Sequence, residues 1–141
     1  MYHRVIIAGR LGADPEMRYT PDGTPVTTLR VATDESYSDR ESGERHKRTI
    51  WWRVTVWRKQ AETCNQYLTK GQAVLVEGTL VADPNTSGPR IWSGQDGKPR
   101  ASFEVTAQVV RFLSGRGGEA AGAAAAEAGP EPPQNEDEMP F

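Results

Sequence analysis

Two tryptophans and an arginine stand at alternate positions in Thr49-Ile50-Trp51-Trp52-Arg53-Val54-Thr55-Val56-Trp57-Arg58. On a strand, alternate side chains share a face, so Trp51, Arg53, Thr55 and Trp57 point one way and Ile50, Trp52, Val54 and Val56 the other. The second set suits a core, with Trp52 assigned either to that core or to a subunit contact. The first set cannot be buried without also burying a guanidinium, at a cost comparable with a whole domain's stability. Indoles flanking a guanidinium on an open face make a platform for something flat and negatively charged. The same mixture recurs where Arg40 follows Tyr37, where Arg58 and Lys59 follow Trp57, and where Arg90 precedes Trp92. Rings that stack bases at ~1–3 kcal/mol each, with cations along the backbone, are what sequence-independent binding of a single-stranded nucleic acid requires. Tyr37, Trp51, Trp57 and Trp92 are therefore candidate stacking residues, with Arg40, Arg53, Lys59 and Arg90 as candidate phosphate contacts. A strand tryptophan taken alone is more often a core or interface residue, and it is the alternation that changes the odds. For Arg40, Arg45, Lys47, Arg48, Lys98 and Arg100 a solvated loop is at least as good a reading.

The elements needed to hold these groups are short strands. Residues 5–11 form a β-branched run ending in the turn residues Gly12-Ala13-Asp14-Pro15, and Thr20-Pro21-Asp22-Gly23-Thr24 is a second turn leading into a strand over residues 26–33. The polar segment 38–48 reads as a protruding connection to the tryptophan strand. Residues 59–70 are the one good helix, with Ala61, Cys64, Tyr67 and Leu68 at helical spacing and Gly71 placed to end it. A fourth strand over 73–81, a turn-rich insert over 83–97 and a last strand over 102–113 complete the domain. This is an all-β order, a five-stranded Greek-key OB-fold barrel with one short helix between strands 3 and 4. Fold alone assigns no function.

Composition narrows the field. The 141 residues leave room for one domain, placed at 1–113, and a tail over 114–141. One cysteine and two distant histidines, His3 and His46, argue against a disulfide and against a zinc site, so no cofactor or metal is expected. No run of eighteen apolar residues is present and the N-terminus does not resemble a cleavable signal, so no membrane association is expected and the location expected is the cytoplasm, with the nucleoid. Residues 1–114 carry 16 Lys and Arg against 13 Asp and Glu, a net of +3, whereas residues 115–141 carry one Arg against six acids, a net of −5. A basic body suits a polyanion and an acidic tail suits basic partners; a merely solubilising tail is the plainer alternative.

The run Val5-Ile6-Ile7-Ala8-Gly9-Arg10-Leu11-Gly12-Ala13-Asp14-Pro15-Glu16-Met17-Arg18-Tyr19 resembles the opening of bacterial single-stranded DNA-binding proteins. The similarity continues through Ala32-Thr33-Asp34-Glu35-Ser36-Tyr37, Trp51-Trp52-Arg53-Val54, Tyr67-Leu68-Thr69-Lys70-Gly71 and Val76-Glu77-Gly78-Thr79-Leu80. The resemblance implies base stacking by Tyr37, Trp51, Trp57 and Trp92 and phosphate contacts by Arg53, Lys59 and Lys70. It also implies a homotetramer that binds and protects single-stranded DNA during replication, recombination and repair.

Gly115 to Gln134 is rich in Gly, Ala, Pro and Glu and is expected to be disordered. The chain closes on Glu136-Asp137-Glu138-Met139-Pro140-Phe141, acids followed by apolar groups that a basic-rimmed pocket can take. In the family that this tip resembles, such an ending docks into replication, recombination and repair enzymes. Two rival classes remain in view. An enzyme on the same fold would need a carboxylate cluster with a base, but the local acid pairs Asp14/Glu16 and Asp34/Glu35 have no histidine near in sequence, so no enzymatic activity is expected. An adaptor would use the exposed indoles on another protein, and would bind without steep salt dependence. A preference for RNA over DNA is not settled by these residues.

Overall fold

Apolar side chains at every second position of neighbouring strands give the barrel its interior. In the computed structural model, which describes residues 1–113, β3 (Pro25–Ser38) and β4 (Arg45–Trp57) pair antiparallel with Leu29 opposite Val54 and Thr27 opposite Val56. Their inward residues Leu29, Val31, Val54 and Val56 are fully buried. They meet Ile7 and Leu11 of β1 (Val5–Leu11), Val74 and Val76 of β5 (Ala73–Leu80), and Val105 and Ala107 of β8 (Phe103–Phe112). The strand order β1-β5-β8-β4-β3 closes when β1 returns to β3 through Arg10 opposite Ala32 and Leu11 opposite Val31. β4 and β8 run parallel; the other pairs of the barrel are antiparallel. This is the expected five-stranded OB-fold barrel.

Closure requires close backbone approach at two glycines. A Cβ on Gly9 would lie 2.2 Å from the Ala32 carbonyl oxygen, and one on Gly78 would lie 2.1 Å from that of Thr106. Gly78 stands at a bulge, where the partners of Glu77 and Gly78 are Val109 and Ala107, leaving Gln108 as the extra residue. The bulge explains why β8 changes its inward parity, from Val105 and Ala107 to Val110 and Phe112, which pack against the core.

The helix α1 (Arg58–Tyr67) lies between the third and fourth barrel strands and buries Ala61 and Cys64. Thr27 donates its hydroxyl to the Ala61 carbonyl at 2.7 Å, and the Gln60 side chain bridges to β8 by donating to the Gln108 carbonyl (2.9 Å) and accepting from Val110 N–H (3.0 Å). α1 stops at Tyr67, three residues before the expected end. Leu68 turns extended to enter the core, and Thr69 N–H is held by the Gln72 side-chain oxygen at 2.6 Å.

Three further elements were not expected from sequence. β2 (Glu16–Tyr19) adds to the outer edge of β3, and β6 (Ile91–Ser93) pairs with β7 (Pro99–Ala101) as a separate hairpin across the Asp96-Gly97 turn. The polar connection protrudes as expected, but as a paired ribbon whose loop is only residues 39–44. Charge contacts hold its two strands together: Arg48 Nε donates to Glu35 at 3.1 Å, Lys47 stands 3.4 Å from Asp34, and Thr49 donates to Asp34 at 2.7 Å.

Candidate nucleic-acid interface

The pairing register builds the interface row by row on the outward face of β2, β3 and β4. Trp51 stands opposite Ala32, Arg53 opposite Arg30, Thr55 opposite Thr28, and Trp57 opposite Val26; β2 adds Glu16 beside Thr28 and Arg18 beside Val26. The two indoles stand six positions apart, about 20 Å of strand. Between them, two arginines face each other across the sheet, a like-charge pair that weakens a sheet and so calls for an anionic occupant.

A concavity of about 510 Å³ opens on this face, walled by Trp51, Arg53, Arg30, Arg18 and Glu16 on the sheet side and by Trp92 and Arg100 of the β6–β7 hairpin. Trp92 and Arg100 are cross-strand partners, which is how the hairpin delivers a ring and a cation to the same spot. Trp51, Trp57, Trp92 and Tyr37 are 47%, 42%, 41% and 48% exposed, each far above what a core aromatic shows. Among the described residues Arg18, Arg30 and Arg53 form no ion pair, whereas Arg100 lies 3.2 Å from Asp96 and Arg90 lies 3.8 Å from Glu104. Arg18 donates to the Thr28 hydroxyl at 3.3 Å, which points its side chain across the face.

Trp51 is seated on a glycine. A Cβ on Gly12 would lie 2.3 and 2.6 Å from Cζ3 and Cη2 of the indole but 3.6 Å from Cε3, so the glycine backbone meets the outer edge of the ring and leaves its two faces open. The sequence reading took Gly12 only as part of a turn. At the other end of the panel, Arg58 takes φ 61, a left-handed conformation in which the chain leaves β4 directly after Trp57 and enters α1.

The expected site residues fall into three groups. Trp51, Arg53 and Trp92 share the concavity, and Trp57 ends the same face with Lys59 exposed two residues beyond. Tyr37 is elsewhere: its parity on β3 is that of Leu29 and Val31, so it lies on the other side of the ribbon, beyond the barrel. There its ring stacks on His46 with centroids 5.3 Å apart and lies 5.2 Å from the Arg48 guanidinium. Arg40 is exposed at the ribbon tip, Arg90 is exposed just before β6, and Lys70 follows α1 with its N–H bonded to Asp14 at 2.8 Å; none of the three lines the concavity. Trp52 belongs to the inner side, where it donates to the Thr33 hydroxyl at 2.9 Å and packs 5.5 Å from Phe103. Glu136 to Phe141 lie outside the described residues.

Sequence reasoning missed Arg18 and Arg30 as site residues, left Arg100 as loop, and gave Glu16 no role at the site. The signal for Arg18 was the Glu16/Arg18 alternation, legible only once that stretch is recognised as a strand. Arg30 required the β3–β4 register. Among the described residues no cluster of metal-ligating side chains occurs and no helix is long and apolar enough to cross a membrane.

An OB-fold barrel presenting aromatic rings and unpaired guanidiniums on one open face defines a class: oligonucleotide-binding-type barrels with a surface suited to stacked bases and phosphates. Within that class the chain belongs to the single-strand binding protein family, whose profile matches residues 2–113. It is similar to the single-stranded DNA-binding protein of Neisseria meningitidis (serogroup A, strain Z2491), with 40% identity over 121 residues, covering 86% of this chain and 65% of that protein. The chain thus spans about two thirds of that relative's length. It is also similar to the single-stranded DNA-binding protein of Rhizobium meliloti (strain 1021), with 41% identity over 126 residues, covering 86% and 68%. Among solved structures it resembles the complex of Plasmodium falciparum SSB with single-stranded DNA (TM-score 0.66, 26% identity, covering 80% of this chain and 96% of that one). It also resembles a deletion mutant of the single-stranded DNA binding protein from Thermus aquaticus (TM-score 0.61, 34% identity, covering 81% and 51%).

Proposed function

We propose that this chain binds and protects single-stranded DNA without regard to sequence, stacking bases on Trp51, Trp57, Trp92 and Tyr37 and neutralising phosphates with Arg53, Lys59, Lys70, Arg40 and Arg90. The observation that carries the reading is the concavity in which exposed Trp51 and Trp92 rings stand among Arg18, Arg30 and Arg53, none of them paired with a carboxylate among the described residues. Arg18 and Arg30 join the phosphate contacts on the same grounds, and Arg100, although it lies 3.2 Å from Asp96, joins them because it lines the same concavity. A nucleobase lies on an indole while the adjoining phosphate meets a guanidinium, so one nucleotide satisfies both groups. The relatives named for single-stranded DNA binding and the DNA complex of the Plasmodium protein support the reading.

The finer roles extend it. The barrel assembles as a homotetramer, and the acidic tip from Glu136 to Phe141 recruits replication, recombination and repair enzymes, with no catalysis by the chain itself. Support for assembly comes from β1, which pairs with β5 from Val5 to Arg10 but meets β3 only at Arg10 and Leu11, leaving an open edge beside exposed Ile6.

The test is the salt dependence of oligo-dT binding. Three unpaired guanidiniums at phosphates give a slope of log affinity against log salt of about −2 or steeper, at ~0.7 per neutralised phosphate on a single strand. A flat profile removes the phosphate reading and leaves an apolar protein partner as the better explanation. Removing Met139, Pro140 and Phe141 is expected to leave that affinity nearly unchanged while abolishing capture of partner enzymes; equal capture by the truncated chain contradicts the role of the tip.

A further inference from the structure

The concavity that gathers the guanidiniums also contains a carboxylate. Glu16 lines it together with Arg18, Arg30 and Arg53, is exposed to solvent, and forms no ion pair or side-chain hydrogen bond among the described residues. Its place follows from the register: Glu16 beside Thr28 lies in the row between the Arg30/Arg53 pair and the row of Trp57 and Arg18. A negative charge there repels any phosphate brought near it, so on a surface serving only the backbone it weakens binding. Its effect changes if base edges, not phosphates, reach that row. Bases lying on Trp51 and Trp57 bracket the row from both ends, and their hydrogen-bonding edges are what a carboxylate can engage.

A carboxylate only accepts hydrogen bonds. Cytosine offers the exocyclic N4 amino group, and Asp or Glu accepting from it is an established pairing. Adenine and guanine also carry amino groups, whereas thymine offers a single ring N–H between two carbonyl oxygens that repel an anion. We infer that Glu16 is a specificity-determining residue that accepts a hydrogen bond from the amino group of one base in the concavity, favouring amino-bearing bases over thymine at that position and turning the phosphates towards the arginines. The inference rests on the single-stranded DNA reading and deepens it. Binding remains broadly sequence-independent because one position among several is affected.

The experiment measures the affinity of the full chain, Glu16→Ala and Glu16→Gln for oligo-dC, oligo-dT and an abasic strand of equal length, at one salt concentration. The expected result is a dC-to-dT affinity ratio that falls about fivefold in Glu16→Ala and much less in Glu16→Gln, whose amide carbonyl still accepts. Abasic binding should strengthen about twofold in both variants as the repulsion is lost. If Glu16→Ala strengthens all three strands by one common factor, or leaves the ratio unchanged, the carboxylate acts only as a repulsive charge and the inference is overturned. Failure of the unmodified chain to bind oligo-dT would instead overturn the binding reading itself.

Discussion

Trp51 abuts Gly12 with the outer edge of its indole, at Cζ3 and Cη2, which leaves both ring faces open. An added methyl group at Gly12 would overlap that edge, so Gly12 sets where the ring can stand. Gly12→Ala is expected to tilt the ring and weaken oligo-dT binding about tenfold with little loss of thermal stability, checked by titration alongside a melting curve. Unchanged affinity would mean that the ring relaxes freely. At this scale the sequence was informative wherever strand periodicity alone decided the matter. Trp51, Arg53 and Trp57 had to share a face, and Val54 and Val56 had to oppose them. It was silent on Arg30 and Arg18, because a residue's cross-strand neighbour depends on a register that no local spacing encodes. Tyr37 shows the limit from the other side: an aromatic beside a basic segment reads like Trp51 and Arg53, yet its odd position sends it to the other side of the ribbon.

At the element scale, the junction between β4 and α1 carries backbone strain. Arg58 holds a left-handed φ of 61 immediately after Trp57, a conformation that costs a residue with a Cβ ~1–2 kcal/mol and glycine almost nothing. Arg58→Gly is therefore expected to raise the unfolding midpoint by a few degrees while lowering oligo-dT affinity modestly through loss of a cation beside Trp57; calorimetry and titration on the same sample check both signs. The helix itself was legible from its spacing, but its end was not. Gly71 looked like the stop, whereas burial of Leu68 in an extended conformation and the Gln72 side-chain bond to Thr69 N–H end the helix earlier. β2 and the β6–β7 hairpin escaped notice because four- and three-residue strands are too short for periodicity to register. The change of apolar parity late in β8, by contrast, was visible in the sequence and needed only the bulge beside Gly78 to explain it.

For the molecule as a whole, closure of the barrel buries Cys64 and pushes its thiol from 9.0 up to about 11. Because the folded state disfavours the thiolate, this contribution to stability is complete below pH 9 and is lost as pH rises towards 11, where the unfolded chain gains by ionising first. Denaturant unfolding across that window should show stability falling in the native chain more than in Cys64→Ala; identical slopes would show that the thiol is not the titrating group. The fold class was legible from the order of strands, turns and single helix. The concavity was not, since it exists only where the β6–β7 hairpin meets the face of β3 and β4, a contact between segments some forty residues apart in sequence. The central claim is that bases lie on the outward indoles of β4, and intrinsic fluorescence during oligo-dT titration of the native chain and of Trp51→Ala/Trp57→Ala tests it most directly. The expected result is saturable quenching in the native chain and an affinity at least about thirtyfold lower in the double variant, from ~1–3 kcal/mol for each lost stack. A correctly folded double variant that binds oligo-dT as tightly as the native chain would contradict it.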